Sequence, residues 1–242
     1  MAQSNQLERA FWNAVEDLGV AARSLSASAR EAVGRSFADD AQAEHASIAS
    51  FNRFSLHLLA VGAPAELVER AQQAALDEVH HARICYAIAS QYLGQPLGPA
   101  AIDLSGDLLG ELTLSAIAAA AVLEGCVGET LAALEAEASR EAAVHPALAA
   151  AWGIISRDEA AHAELAWTFV GWALHQGSAE VRHAVERSFE TALRDVVSAS
   201  TLTAIVDPLL QASGRLGAHA RSELRRRAVR ETLEPAVVQL LR

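Results

Sequence analysis

Lysine is missing altogether: all nineteen basic residues are arginines, set against thirty acidic ones, for a formal net charge of −11. That balance speaks against a general nucleic-acid partner, and the lack of lysine reads as codon bias. Two cysteines, Cys85 and Cys126, exclude a disulfide framework and a four-cysteine metal module. Aromatic residues are only 5% and no alternating β-branched run occurs, so there is no strand signal. Long hydrophobic runs are also wanting: Leu114 to Leu123 and Ala147 to Ile155 are too short to span a bilayer and read as buried bundle helices, so no membrane is expected. The first residues lack a basic start followed by an apolar run, so no secretory signal is expected and the cytoplasm is the expected location.

What the chain does hold is alanine and leucine, within a hydrophobic fraction of 52% over 242 residues. Such a composition favours an all-α protein with a sizeable core. Apolar Leu7, Phe11, Val15 and Leu18 recur every three or four positions, predicting one or two short amphipathic helices over 5–34 that pack outside a main bundle. A first long helix is expected from near Ser36 to Val61, stopped by Gly62. A second starts around Pro64 and ends at Gly94. Residues 94–105 hold two prolines and, extended, would reach roughly 40 Å, enough to cross a bundle end to end. A third helix is expected from about Gly106 to Ser139 and a fourth from about Pro146 to His175. Shorter helices follow at about 179–198, 208–213 and 217–240. The expected domains are therefore an N-terminal helical extension (1–35), a four-helix bundle (36–175) and a C-terminal helical extension (176–242).

One pattern occurs twice: Asp77-Glu78-Val79-His80-His81-Ala82 returns as Asp158-Glu159-Ala160-Ala161-His162-Ala163. On a helix, residues three apart share a face, so Glu78 with His81, and Glu159 with His162, can each offer an oxygen and a nitrogen to one point. Each motif is half of a metal site, and the other helix of each hairpin should add a carboxylate at the same height. Glu44 lies as far before the turn at Ala63 as His81 lies after it. For the second hairpin Glu124 and Glu129 compete. The offset from Glu78 to Glu159 is 81, from Glu44 to Glu124 it is 80, and from Glu44 to Glu129 it is 85, so the duplication selects Glu124. Glu129 sits about 140° around the helix from Glu124, and the two share a face only if the helix is locally distorted. It reads as a solvated or interhelical carboxylate.

Glu44, Glu78, His81, Glu124, Glu159 and His162 would thus make a two-metal site, with Glu78 and Glu159 bridging. Four negative charges, two imidazoles and no thiolate suit a pair of iron(II) or manganese(II) ions, or a mixed pair, and disfavour structural zinc. One Glu from each of two helices plus Glu-x-x-His from each of two others resembles the ferritin-like di-iron carboxylate superfamily, over about residues 36–175. The resemblance implies a four-helix bundle with a long crossover between helices 2 and 3. It also implies that Asp77 orients His162 and that Asp158 orients His81. Cys85 stands where radical-forming relatives have tyrosine and where some monooxygenases have cysteine. Gly125 and Gly128 could open room for dioxygen or substrate beside Glu124, and close helix packing explains them equally.

The implied activity is that of a di-iron oxidoreductase that uses dioxygen and an external electron donor to hydroxylate, N-oxygenate or desaturate a small organic substrate. The alternative is a ferroxidase, iron-storage or peroxide-scavenging protein. The helical extensions suit lidding a pocket or forming a homodimer. His45, His80 and Glu164 point away from the expected site. Trp152, Trp167 and Trp172 read as core, and the arginines from Arg221 to Arg230 as a solvated helix face.

Overall fold

The punctuation of the sequence sets the helices. The computed structural model describes residues 2–106, 108–199 and 213–242, and every regular element among them is helical. Helix α1 spans Ala2–Ala22 and α2 spans Ala27–Ala60. The Ser26 hydroxyl accepts from Ala29 N at 3.2 Å and caps α2, so this helix starts well before Ser36 and absorbs residues 27–35 of the expected N-terminal extension. At its other end Gly62 takes φ +66°, a conformation glycine adopts without a Cβ clash, and Pro64 opens α3, Ala65–Leu93. Helices α2 and α3 pack along each other as an antiparallel hairpin.

The connection to the second hairpin is longer than expected. Gly106 (φ 139°) and Gly110 (φ 62°) break helical geometry, and the helix begins only after Thr113, whose hydroxyl caps Ala116 N. His57 Nε2 lies 2.7 Å from Leu109 O and ties this crossover to α2. Helix α4 (Leu114–Ala121) continues through a π-helical segment, Val122–Glu129, into α5 (Thr130–Ala142). His145 and Pro146 then start α6, Pro146–Gln176, which packs along α5 and the π-segment. Taken as one rod, Leu114–Ala142 is long and apolar enough to cross a bilayer, contrary to the reading of its apolar run as too short. It is packed against α6 and α7 and carries Glu124 and Glu129 at its middle.

Helix α1 buries Phe11, Val15 and Leu18 against α3 and α6, and α7 (Ala179–Ala199) lies on α4 and the π-segment. The C-terminal rod is α8 (Ala218–Ala228), a second π-segment (Val229–Leu233) and α9 (Glu234–Leu240). The short helix expected over 208–213 lies almost wholly outside the described residues. Two apolar cores result. One gathers Phe51, Leu58, Phe169, Phe189 and Leu233, and the other Phe11, Phe37, Ile88, Leu148 and Trp152. Along α2, α3 and α6, the stretches between the two cores carry Glu44, Glu78 with His81, and Glu159 with His162. That polar belt is the site.

Candidate metal centre

Glu78 with His81 on α3, and Glu159 with His162 on α6, lie one helical turn apart and are buried, none more than 4% exposed. Each imidazole turns Nδ1 inward. His81 Nδ1 lies 3.7 Å from Glu78 Oε2 and 3.5 Å from Glu159 Oε1, while His162 Nδ1 lies 3.3 Å from Glu78 Oε1 and 3.3 Å from Glu159 Oε2. Each of the two carboxylates therefore faces both imidazoles, one oxygen apiece. The rings stand 6.1 Å apart, centroid to centroid. Glu44 on α2 approaches His81 Nδ1 at 3.5 Å. Two groups emerge that share Glu159: Glu44, Glu78, His81 and Glu159, and Glu129, Glu159 and His162. In each, the candidate ligand atoms lie within 4.8 Å of one another.

The outward nitrogens are held crosswise. His81 Nε2 lies 3.2 Å from Asp158 Oδ2, and His162 Nε2 lies 3.4 Å from Asp77 Oδ2, so each motif's aspartate meets the other motif's histidine. An N–H donated outward to a carboxylate fixes the tautomer and leaves Nδ1 as the inward atom. Arg157 in turn holds Asp158 at 2.7 Å, and Gln73 donates to Asp77 at 2.9 Å.

The electrostatics show what the cluster can accept. Burial opposes charge on His81, but the carboxyl groups of Asp158, Glu159, Glu44 and Glu78 around the ring prevail and raise it well above the ordinary imidazole range. Burial likewise opposes charge on His162, yet Asp77, Glu159 and Glu78 lift it to about 11. Burial pushes Glu44 up to about 8, and burial with the neighbouring Glu159 pushes Glu129 well above the usual carboxylate range. For Glu78 and Glu159 burial is again the largest influence, but the two histidines outweigh it and hold both carboxyls low. These shifts favour charge on the two imidazoles and on Glu78 and Glu159, and protons on Glu44 and Glu129. Glu78 Oε2 and His81 Nδ1 nonetheless stay sealed in without a hydrogen-bond partner. Buried polar atoms left unpaired cost about 1–3 kcal/mol each. Divalent cations would satisfy both atoms and replace the protons, so the donor set fits metal.

The structure brings together Glu44, Glu78, His81, Glu159 and His162, with Asp77 and Asp158 against the imidazoles. It does not bring Glu124 into either group. Glu124 pairs with Arg53 at 2.5 Å and its side chain is 57% exposed. Glu129 supplies the carboxylate instead, correcting the choice made from the duplication. The cause is the π-segment: i→i+5 bonding widens each turn, so residues five apart come round to one side. Glu129 thus reaches His162, and Glu124 lies one turn away on the same side. The spacing of Glu124 and Glu129, with two intervening glycines, was the available signal.

Cys85 is wholly buried in the core beyond Glu44 and lines none of the cavities beside the metal-ligating groups. Gly125 does line one, although its glycine is accounted for by packing, since an added Cβ would fall 2.3 Å from Ala166 Cβ. Gly128 faces the Leu123 carbonyl of its own turn and lines neither cavity. His80 approaches Glu8 and Glu164 approaches Arg70, both away from the cluster. Trp152 donates to Ser213 O and Trp167 to Thr130 Oγ1. Arg221 and Arg225 bind Glu135, so that helix face is in part an internal contact.

Two cavities flank the centre. One, about 280 Å³, ends on Glu129 and His162 and is walled by Phe51, Phe54, Ile117, Leu165 and Ala166, with Arg53 and Glu124 also lining it. The other, about 190 Å³, reaches Glu44 and Glu159 past Asp40, Glu135, Arg215 and Arg221. Arg53 and Arg215 were not anticipated, because a lone arginine carries no periodic signal, and Arg221, read as part of a solvated helix face, lines the second cavity. Comparison with family models, curated proteins and solved structures returns no match. The finding is thus the geometry alone: an all-helical chain whose buried glutamates and histidines lie close enough to hold metal.

Proposed function

We propose that the chain is a ferritin-like di-iron oxygenase that oxidises a small organic molecule by hydroxylation, N-oxygenation or desaturation. Two hairpins joined by a crossover, with a Glu on one helix and Glu-x-x-His on the other of each, support the ferritin-like assignment. Glu44, Glu78 and His81 would hold one iron and Glu129 and His162 the other, with Glu159 common to the two groups. Manganese in one or both positions is compatible with the same donors. The observation that carries the oxygenase reading is the mainly apolar cavity ending on Glu129 and His162, since mineralising iron calls for no such chamber.

A bound iron pair supplies the means to reduce dioxygen. The chain does the rest. Asp77 and Asp158 hold the imidazole Nε2 protons and keep Nδ1 directed inward. Phe51, whose ring lies 4.7 Å from that of His162, and Leu165 put apolar surface beside the cavity floor, which strengthens the charge interactions there. Hydroxylation consumes one dioxygen, two electrons and two protons from outside and yields the alcohol and water.

The acidic cavity reaching Glu44 and Glu159 favours one other reading, a ferroxidase whose substrate is iron itself. Anaerobic loading with iron(II), metal analysis and then exposure to dioxygen with a reductant and candidate substrates separates them. The oxygenase should bind about two irons per chain and form organic product in proportion to dioxygen consumed. Oxidation of many irons per chain without product would establish the ferroxidase, and less than one iron per chain would end both.

A further inference from the structure

At the rim of the apolar cavity, α2 and the π-segment set two opposite charges side by side. Arg53 Nη2 donates to Glu124 Oε2 at 2.5 Å, and both side chains line the same chamber as Glu129 and His162. Glu124 is more than half exposed, whereas His162 at the floor is 3% exposed, so the pair marks the open end and the metal-ligating residues the closed end. A guanidinium carries five N–H donors in a planar fork and can hold Glu124 and a second carboxylate together. The Glu124 carboxylate, with four lone-pair sites, can accept from an ammonium while keeping Arg53.

We propose that this rim pair recognises the zwitterionic head of an α-amino acid whose apolar side chain fills the chamber toward Glu129 and His162. The inference rests on the oxygenase reading and names its substrate class. A simple carboxylic acid would leave Glu124 repelling the incoming group, and a simple amine would meet the same repulsion at Arg53. Only a ligand with both charges uses the pair without breaking it. Size agrees: an apolar cavity of about 150 Å³ holds benzene, so about 280 Å³ holds a ring or branched chain with a head group. Phe51, Phe54, Ile117 and Leu165 supply the apolar wall, and Glu124 is placed one turn from Glu129, so the side chain and not the head would face the centre.

The test is calorimetric titration of the full-length protein, loaded anaerobically with iron(II) and kept under nitrogen, with L-phenylalanine and L-leucine. Each is compared with the counterpart lacking the ammonium, 3-phenylpropionate or 4-methylpentanoate, and the counterpart lacking the carboxylate, 2-phenylethylamine or 3-methylbutylamine. At least one amino acid should bind tenfold or more tighter than both of its counterparts. Arg53→Gln should remove its advantage over the amine and Glu124→Gln its advantage over the acid. Equal binding within each series, or an advantage that survives both substitutions, overturns the proposal. Metal content is measured on the same samples. Failure of amino-acid binding at two irons per chain removes this substrate class alone, whereas absent iron removes the oxygenase reading whatever the titration shows.

Discussion

Each imidazole of the centre sits between an outward aspartate and inward glutamates, three for His81 and two for His162, and this sandwich sets how metal would enter. At neutral pH the metal-free protein holds His81 and His162 protonated, and Glu44, pushed up to about 8, is mostly protonated as well. Metal needs Nδ1 and the carboxylate oxygens bare, so loading should release protons and affinity should rise from pH 6 to pH 8. Calorimetry in buffers of different ionisation enthalpy checks this, and an observed heat independent of buffer would contradict it. Glu129→Ala should abolish metal at the His162 position, while Glu124→Ala should leave two metals per chain. Metal analysis of the two variants decides between the ligand seen in the fold and the one suggested by the repeat. Asp158→Ala should weaken metal binding by roughly 10–100-fold, because it removes the acceptor that orients His81.

Among the elements, the π-segment does most to shape the site. Its path is held by Thr130 Oγ1, which donates to Cys126 O at 2.6 Å, and by contact of Gly125 with Ala166. Gly125→Ala would drive a methyl into Ala166 and should destabilise the fold by about 1–3 kcal/mol. The pair Gly125→Ala with Ala166→Gly should recover most of that loss in denaturant titrations, which tests packing as the reason for the glycine. The start of α6 carries a pH-sensitive contact, since the His145 ring accepts from Ala147 N at 3.2 Å and can do so only when neutral. Burial lowers its pKa from the ordinary 6.5. The folded state therefore binds fewer protons than the unfolded one. This contribution is complete above pH 6.5 and is lost as the pH falls through the lowered value. Between pH 8 and pH 5.5, His145→Asn should lose less in Tm than the parent, as its cap does not titrate.

For the whole molecule, an acidic belt between two apolar cores would couple metal to folding. Bound at a thousand times its Kd, metal would add about 4 kcal/mol. In a chain of this size that raises Tm by roughly 10 °C. Removing metal with a chelator should reverse the shift, and an unchanged Tm would argue that the belt is stable without cations. The C-terminal segment closes over the same region: Arg215 binds Asp40 and Ser36 while its guanidinium lies 4.9 Å from the Phe37 ring centre.

Helical periodicity, Gly62, Pro64, Gly94 and Pro146 made the long helices legible in the sequence, because local punctuation is enough to stop and start a helix. The repeated Asp-Glu-x-x-His-Ala made four ligands legible because an α-helix fixes which residues share a face. Glu44 followed from counting rise on both sides of a turn. That counting fails across Val122–Glu129, where the backbone leaves α geometry, and an offset of 80 pointed to Glu124. Within that segment Gly125 meets Ala166 on α6, a contact between residues far apart in the chain. Arg53 beside Glu124 and the chamber between them have the same origin. The sequence by itself determined which residues can bind metal; only the packing of helices decided which of them meet, and what space they leave for a substrate.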